Sequence, residues 1–174
     1  MTAATRHLDS LEIRPVDRSD HDSIQRLFLE SAEYIQLITG ATPDPFEAER
    51  LLDDLPPGRS LSDKTVLGIY NKASASLVGV VDAVMGYPRP DILFLGLLLL
   101  TPKWRGMGAG PWILTRLIAE AAASDTKEIH LAVAPINGAA LRFWRREGFR
   151  EIRLSRQAGV EDPITVVVMA RQFD

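Results

Sequence analysis

Arg105-Gly106-Met107-Gly108-Ala109-Gly110-Pro111 is the stretch of this 174-residue chain whose residue types and spacing point most directly to chemistry. Three glycines at alternate positions let the backbone take steep or positive φ angles and turn its N–H groups toward one point, with no Cβ in the way. The run follows the apolar segment Leu93 to Leu100 and opens an amphipathic stretch from about Gly108 to Ser124. Pro111 suits the first turn of such a helix, where a missing N–H costs nothing, so free amides and the positive end of the helix dipole face a ligand there. Each contribution is about 0.3–1 kcal/mol at an exposed site, and Arg105 adds a full charge. The chemistry implied is binding of an anion of diphosphate size. A plain strand-to-helix turn is the alternative for the loop taken alone. Two other phosphate signatures fail on spacing: counted from Gly106, the third glycine of G-x-G-x-x-G would fall on Pro111, and no G-K-[ST] follows.

Downstream, Glu128 to Ala134 alternates as a strand does, with Ile129, Leu131 and Val133 on one face and His130, Ala132 and Ala134 on the other. Asn137 then caps an expected helix that ends in basic residues and Gly148. R-G-M-G-A-G followed by N-x-x-A-x-x-F-W-x-x-x-G-F, on strand, loop, helix, strand and helix in that order, closely resembles the GNAT superfamily of N-acetyltransferases. The resemblance is specific over roughly residues 91 to 150. It implies that the Arg105 to Gly110 loop, through Arg105, Gly106, Met107, Gly108, Ala109 and Gly110, holds the pyrophosphate of acetyl-coenzyme A. It also implies that Leu98, Leu99 and Leu100 offer backbone groups to the acetyl and pantetheine arm, and that Asn137 contacts the pantetheine region. The implied fold is a mixed α/β acyl-CoA N-acyltransferase architecture: a mixed, mostly antiparallel sheet of about seven strands flanked by about four helices.

One departure bears on mechanism. Many family members carry a tyrosine seven residues after this asparagine, placed to protonate the departing thiolate; here the position is Trp144, whose indole N–H is no useful acid. The loss is bearable, since a thiol has a pKa of about 8.5 and general acid catalysis is worth about 10²- to 10⁴-fold. Phe143 and Trp144 are read both as helix-to-core packing and as a lining for the cofactor arm.

The implied reaction is direct attack of a primary amine on the acetyl thioester, with the backbone near Leu98 holding the developing oxyanion. The amine must first lose a proton. Asp82 is the first candidate base, because it interrupts the apolar strand Val78 to Val84 and must face either solvent or a site. His130 is the second, against the simpler reading of a satisfied structural histidine. Glu33 and Tyr34 on the first helix are placed where they could meet the acceptor, a small-molecule or peptide amine. A different class remains: a coenzyme-binding sensor or interaction module of the same fold without turnover, for which the loss of the tyrosine argues.

These residues need a scaffold, and the rest of the chain supplies one. Leu11 to Val16 is an expected strand; Asp20 caps a helix running to about Ile38, with Ile24, Leu27, Phe28, Ile35 and Ile38 at helical spacing. Pro43 to Leu55 is an expected second helix, and its acids could draw a cationic amine. Thr65 to Tyr70, Leu77 to Gly86 and Asp91 to Leu100 are expected strands, as are Phe149 to Leu154 and Thr165 to Met169 around a turn at Ala158-Gly159. A single domain is expected, with Met1 to Ser10 a polar tail. Cysteine is absent, which removes a cysteine nucleophile and thiolate metal sites, and no metal is expected. The net charge of −3 provides no global field for nucleic acid. No apolar run reaches the roughly 20 residues a membrane span needs, and no apolar leader segment is visible, so the expected compartment is the cytoplasm. The resemblance leaves a homodimer open, since family members often pair through their C-terminal strands.

Overall fold

The computed structural model describes residues 8–156 and 165–173. Its seven strands are β1 (Leu11–Pro15), β2 (Lys64–Asn71), β3 (Ser76–Met85), β4 (Ile92–Leu100), β5 (Glu128–Val133), β6 (Arg150–Arg156) and β7 (Thr165–Gln172), in the sheet order β1-β2-β3-β4-β5-β7-β6. Five α-helices are described: α1 (His21–Glu30), α2 (Ala32–Thr39), α3 (Glu47–Asp53), α4 (Ala109–Ala122) and α5 (Gly138–Arg146). β4 and β5 run parallel, while β1 with β2 and β7 with both β5 and β6 run antiparallel. No described helix is long and apolar enough to cross a membrane. The expected turn at Ala158-Gly159 lies outside the described residues.

By contact density the chain forms two compact units. The first takes the residues up to Asp54 with Thr65–Asp82 and Leu97–Arg116; the second takes Leu55–Lys64, Ala83–Gly96 and the residues from Leu117 on.

In the first unit the apolar spacing of α1 places Ile24, Leu27 and Phe28 in a core with Ile35, Ala48, Leu51, Val66, Val80 and Leu99. Full burial of each of the larger of these side chains contributes about 1.5–3 kcal/mol. Gln25 fastens α1 to the start of α3, donating from Nε2 to the Asp44 carbonyl at 2.6 Å and accepting the Ala48 N–H at 3.1 Å.

The single helix expected up to Ile38 is two helices. Ser31, at φ −109 and ψ 27, joins α1 to α2, and its N–H is shared between the Leu27 and Phe28 carbonyls. The apolar stripe runs through this junction because both helices face the same core. α3 is shorter than the expected 43–55. Pro43 and Pro45 drive the residues before them toward extended backbone, and Asp44 instead accepts the Phe46 N–H at 2.7 Å. Asp20 precedes α1 but makes no capping bond to that helix. Its carboxylate takes the Tyr70 hydroxyl at 3.0 Å and the Asp17 N–H at 3.2 Å. Asp17 does the capping, one short 3₁₀ turn earlier.

In the second unit β5 buries Ile129, Leu131 and Val133 on one face as expected, and also buries His130 on the other. Asn137 caps α5 by accepting the Ala140 N–H at 3.0 Å. The helix ends at Gly148, whose φ of +86 only glycine adopts freely. There the Phe149 N–H reaches the Trp144 carbonyl at 3.0 Å and the Gly148 N–H the Arg145 carbonyl at 3.1 Å. Trp144 and Phe149 close the motif with an edge-on ring contact, centroids 5.1 Å apart.

Candidate active site

The first unit holds the end of β4 and everything that follows it up to α4. Leu99 and Leu100 are buried and Leu98 is half-buried. The Thr101 N–H donates to the Val78 carbonyl at 2.9 Å, which anchors the end of β4 to β3. Pro102–Trp104 forms a 3₁₀ turn with Trp104 buried, and Arg105 leaves it in extended backbone. Gly106 and Gly108 then take φ of +72 and +84, while Arg105, Gly106, Met107 and Gly108 are exposed. A Cβ at Gly106 would meet nothing within 4 Å, so the loop turns beside open space and its bend is not imposed by packing.

α4 begins at Ala109, and its first ladder bond runs from the Trp112 N–H to the Gly108 carbonyl at 3.2 Å. The N–H groups of Ala109 and Gly110 therefore precede the helical ladder, and Pro111 has none to offer. Positive-φ glycines, two first-turn amides outside the helical ladder and the Arg105 side chain thus lie within one six-residue stretch, the kinds of donor that anion sites at helix N-termini use.

Arg105 has two partners in the same unit. Its Nε donates to the Leu100 carbonyl at 2.7 Å, and its Nη1 donates to the Glu33 carboxylate from α2. The guanidinium is thus fixed against the strand that precedes the loop. Tyr34, next to Glu33, packs half-buried against the core. Burial pushes its phenol above the ordinary range, with Arg105 opposing the rise and Glu47 adding to it. Asp82 lies on β3, half-buried between the buried Val81 and Ala83.

The second unit holds the other named residues. His130 is 6% exposed, and its Nε2 donates to Glu128 at 2.7 Å. Arg89 reaches the same carboxylate at 3.2 Å. The hydrogen bond from His130, aided by those from Arg89 and Gln172, holds the Glu128 carboxyl below its ordinary range against the cost of burial. His130 Nδ1 is buried and has no hydrogen-bond partner among the described residues. Asn137 is half-buried, with its side-chain oxygen committed to the cap. Trp144 is 7% exposed, between Phe143 at 4.7 Å and Phe149 at 5.1 Å between ring centroids.

The structure therefore joins Leu100, Arg105 and Glu33 within one unit, and joins His130 to Glu128 and Arg89 within the other. The Glu33 contact spans 72 positions and leaves no local mark on the sequence. The Glu128 partner does leave one: two residues before His130 on a strand, it shares the histidine's face.

The model of the Acetyltransferase (GNAT) family fits residues 23–149, a span that holds β2 to β5, the glycine loop after β4 and the helix it opens. The chain belongs to the GNAT acetyltransferase family. Among solved structures, this GNAT chain is similar to an acetyltransferase from Thermus thermophilus, at 25% identity over 96% of this chain and 99% of that one, with a TM-score of 0.76. It shares its fold with aminoglycoside acetyltransferase AAC(6')-Ib in complex with coenzyme A, at 16% identity over 94% of this chain and 95% of that one, TM-score 0.71. The PaiA N-acetyltransferase from Thermoplasma acidophilum, also in complex with coenzyme A, matches at 19% identity over 94% and 99% of the two chains, TM-score 0.68.

Proposed function

We propose that this GNAT protein is an N-acetyltransferase that moves the acetyl group of acetyl-coenzyme A to a primary amine by direct attack. The observation that carries the reading is the loop after β4, where exposed positive-φ glycines, first-turn amides outside the helical ladder and Arg105 follow one another within six residues. In this reading Arg105 and the amides of Gly106 to Gly110 hold the diphosphate, the backbone of Leu98 to Leu100 faces the acetyl and pantetheine arm, and the free amide of Asn137 meets that arm. Bound acetyl-coenzyme A would supply an activated thioester: the amine nitrogen bonds to the carbonyl carbon, the C–S bond breaks, the nitrogen gives up a proton and the thiolate takes one.

What the chain must add is charge stabilisation and proton management. A backbone N–H aimed at the developing oxyanion is worth about 2.7–4 kcal/mol where single donors have been removed. An alkylammonium with a pKa of about 10.4 needs a base. Asp82 takes that role in this proposal, because it is a half-buried carboxylate in the otherwise apolar run of β3 and could take the proton directly or through water. His130 is the second candidate, with a buried Nδ1 that has no hydrogen-bond partner among the described residues, although its ring is fixed by Glu128. The acceptor is a small molecule or peptide, and the cytoplasm is the proposed compartment.

A second reading, a coenzyme-binding module without turnover, is favoured by Trp144. Its indole is packed in an aromatic stack and cannot supply the proton that a tyrosine there would. Release of free coenzyme A from acetyl-coenzyme A in the presence of mixed primary amines separates the two. Amine-dependent release supports the enzyme; coenzyme binding without release supports the module.

A further inference from the structure

The contact between Arg105 and Glu33 links the glycine loop after β4 to α2. Arg105 is held twice, by the Leu100 carbonyl and by the Glu33 carboxylate, and only the first hold is to backbone. The ion pair is open to solvent, with side-chain exposures of 38% and 54%. Exposed pairs of this kind couple weakly and are easily exchanged. A diphosphate offers the same guanidinium charge-assisted bonds backed by several amides, so it wins the competition. Glu33 then faces a polyanion with its counter-charge gone.

We propose that Glu33 is a displaceable counter-anion of the coenzyme loop and, once displaced, the carboxylate that selects an acceptor carrying a second positive charge. The inference rests on the acetyltransferase reading above. The charge balance requires the second cation, because the nitrogen that attacks must first become neutral and cannot itself compensate Glu33. The surroundings favour the same class of acceptor. Along the sequence from residue 20 to 54 the chain carries nine acids and two arginines, and Arg18 just before that window pairs with Asp53. One of those arginines, Arg50, is already paired with Asp44 and Glu47. Glu47 and Arg105 both act on Tyr34, the chain neighbour of Glu33, so once a diphosphate takes up the Arg105 charge a diamine or a basic side chain meets a negative field there. Coenzyme and dicationic acceptor then assist each other's binding, since each relieves the charge the other exposes.

The test compares wild type with Glu33→Gln and Glu33→Asp. Glu33 is exposed, so these variants keep the core intact. In calorimetry at low salt, Glu33→Gln binds acetyl-coenzyme A about three- to fivefold more tightly than wild type, and the difference shrinks in about 0.5 M salt. In turnover, the variant raises KM for 1,4-diaminobutane about fivefold with little change in kcat, while n-butylamine is unaffected; Glu33→Asp recovers part of both effects. Coenzyme binding that is equal or weaker in Glu33→Gln, or an unchanged preference between the two amines, overturns the exchange and leaves the acetyltransferase reading standing. Absence of coenzyme binding by wild type overturns that reading itself.

Discussion

Two arginine–carboxylate contacts sit on opposite terms with their surroundings. Arg105 and Glu33 meet beside an open, exposed loop whose glycines turn away from packing. Arg89 meets Glu128, but Glu128 also carries a buried histidine and is only 17% exposed. The residue types are nearly the same in both places. In the second, a buried group depends on the carboxylate; in the first, none does, and a stronger anion can take its place. The aromatic residues divide in the same way: Tyr34 stands at the edge of a core with its hydroxyl near charges, whereas Trp144 closes a helix end. Chemistry is to be sought where polar groups are exchangeable, and stability where they are committed.

That division predicts that the second unit responds to mutation mainly through stability and the loop mainly through binding. Trp144→Ala empties the stack with Phe143 and Phe149 and costs about 3–5 kcal/mol, readable by urea unfolding; a stable variant with altered kinetics would instead make Trp144 a functional residue. Glu128→Gln leaves His130 and Arg89 without their carboxylate and costs about 2 kcal/mol. Because the folded pKa of Glu128 is lowered, its contribution is present above the unfolded value of about 4.3 and is lost as pH falls through the folded value. The variant's acid limb is correspondingly flatter in unfolding measured from pH 7 downward.

Arg105→Ala weakens acetyl-coenzyme A binding about tenfold at low salt, with a smaller deficit at high salt. Its unfolding free energy stays within about 1 kcal/mol of wild type, which sets it apart from Glu128→Gln. Tyr70→Phe has the smallest expected effect, about 1 kcal/mol, through loss of the hydrogen bond to Asp20. Burial first, and then that bond, push the Tyr70 hydroxyl up to about 12. The hydroxyl's contribution is therefore full below the unfolded value of about 10 and lost as pH rises toward the folded one. The phenylalanine variant lacks that share of the alkaline decline in a pH series of thermal melts.

The loop after β4 was legible because its geometry is local. Alternate glycines before a proline constrain backbone within seven residues, and the positive φ angles fall at Gly106 and Gly108. The strands were legible to within a residue or two where alternation or apolar runs were long, as in β4 and β5. The break at Ser31 was hidden because the apolar period continues across it, and only tertiary packing shows that two helices share the stripe. The start of α3 was misplaced by counting Pro43 as a helix opener when a second proline follows at 45. Asp20 looked like a cap, while a hydroxyl from β2, fifty positions away, shares its carboxylate. The Glu33 partner of Arg105 was illegible for the same reason of distance in sequence.

The central claim is that the Arg105 to Pro111 loop is a coenzyme site, and calorimetric titration of acetyl-coenzyme A into wild type and Gly108→Asp tests it most directly. Gly108 sits at φ +84, where an aspartate brings both backbone strain and a charge that repels phosphate. Saturable binding by wild type and a loss of at least about 100-fold in the variant, roughly 2.7 kcal/mol, is the result the account predicts. No binding by wild type, or equal binding by both proteins, would contradict it and return the loop to an ordinary strand-to-helix turn.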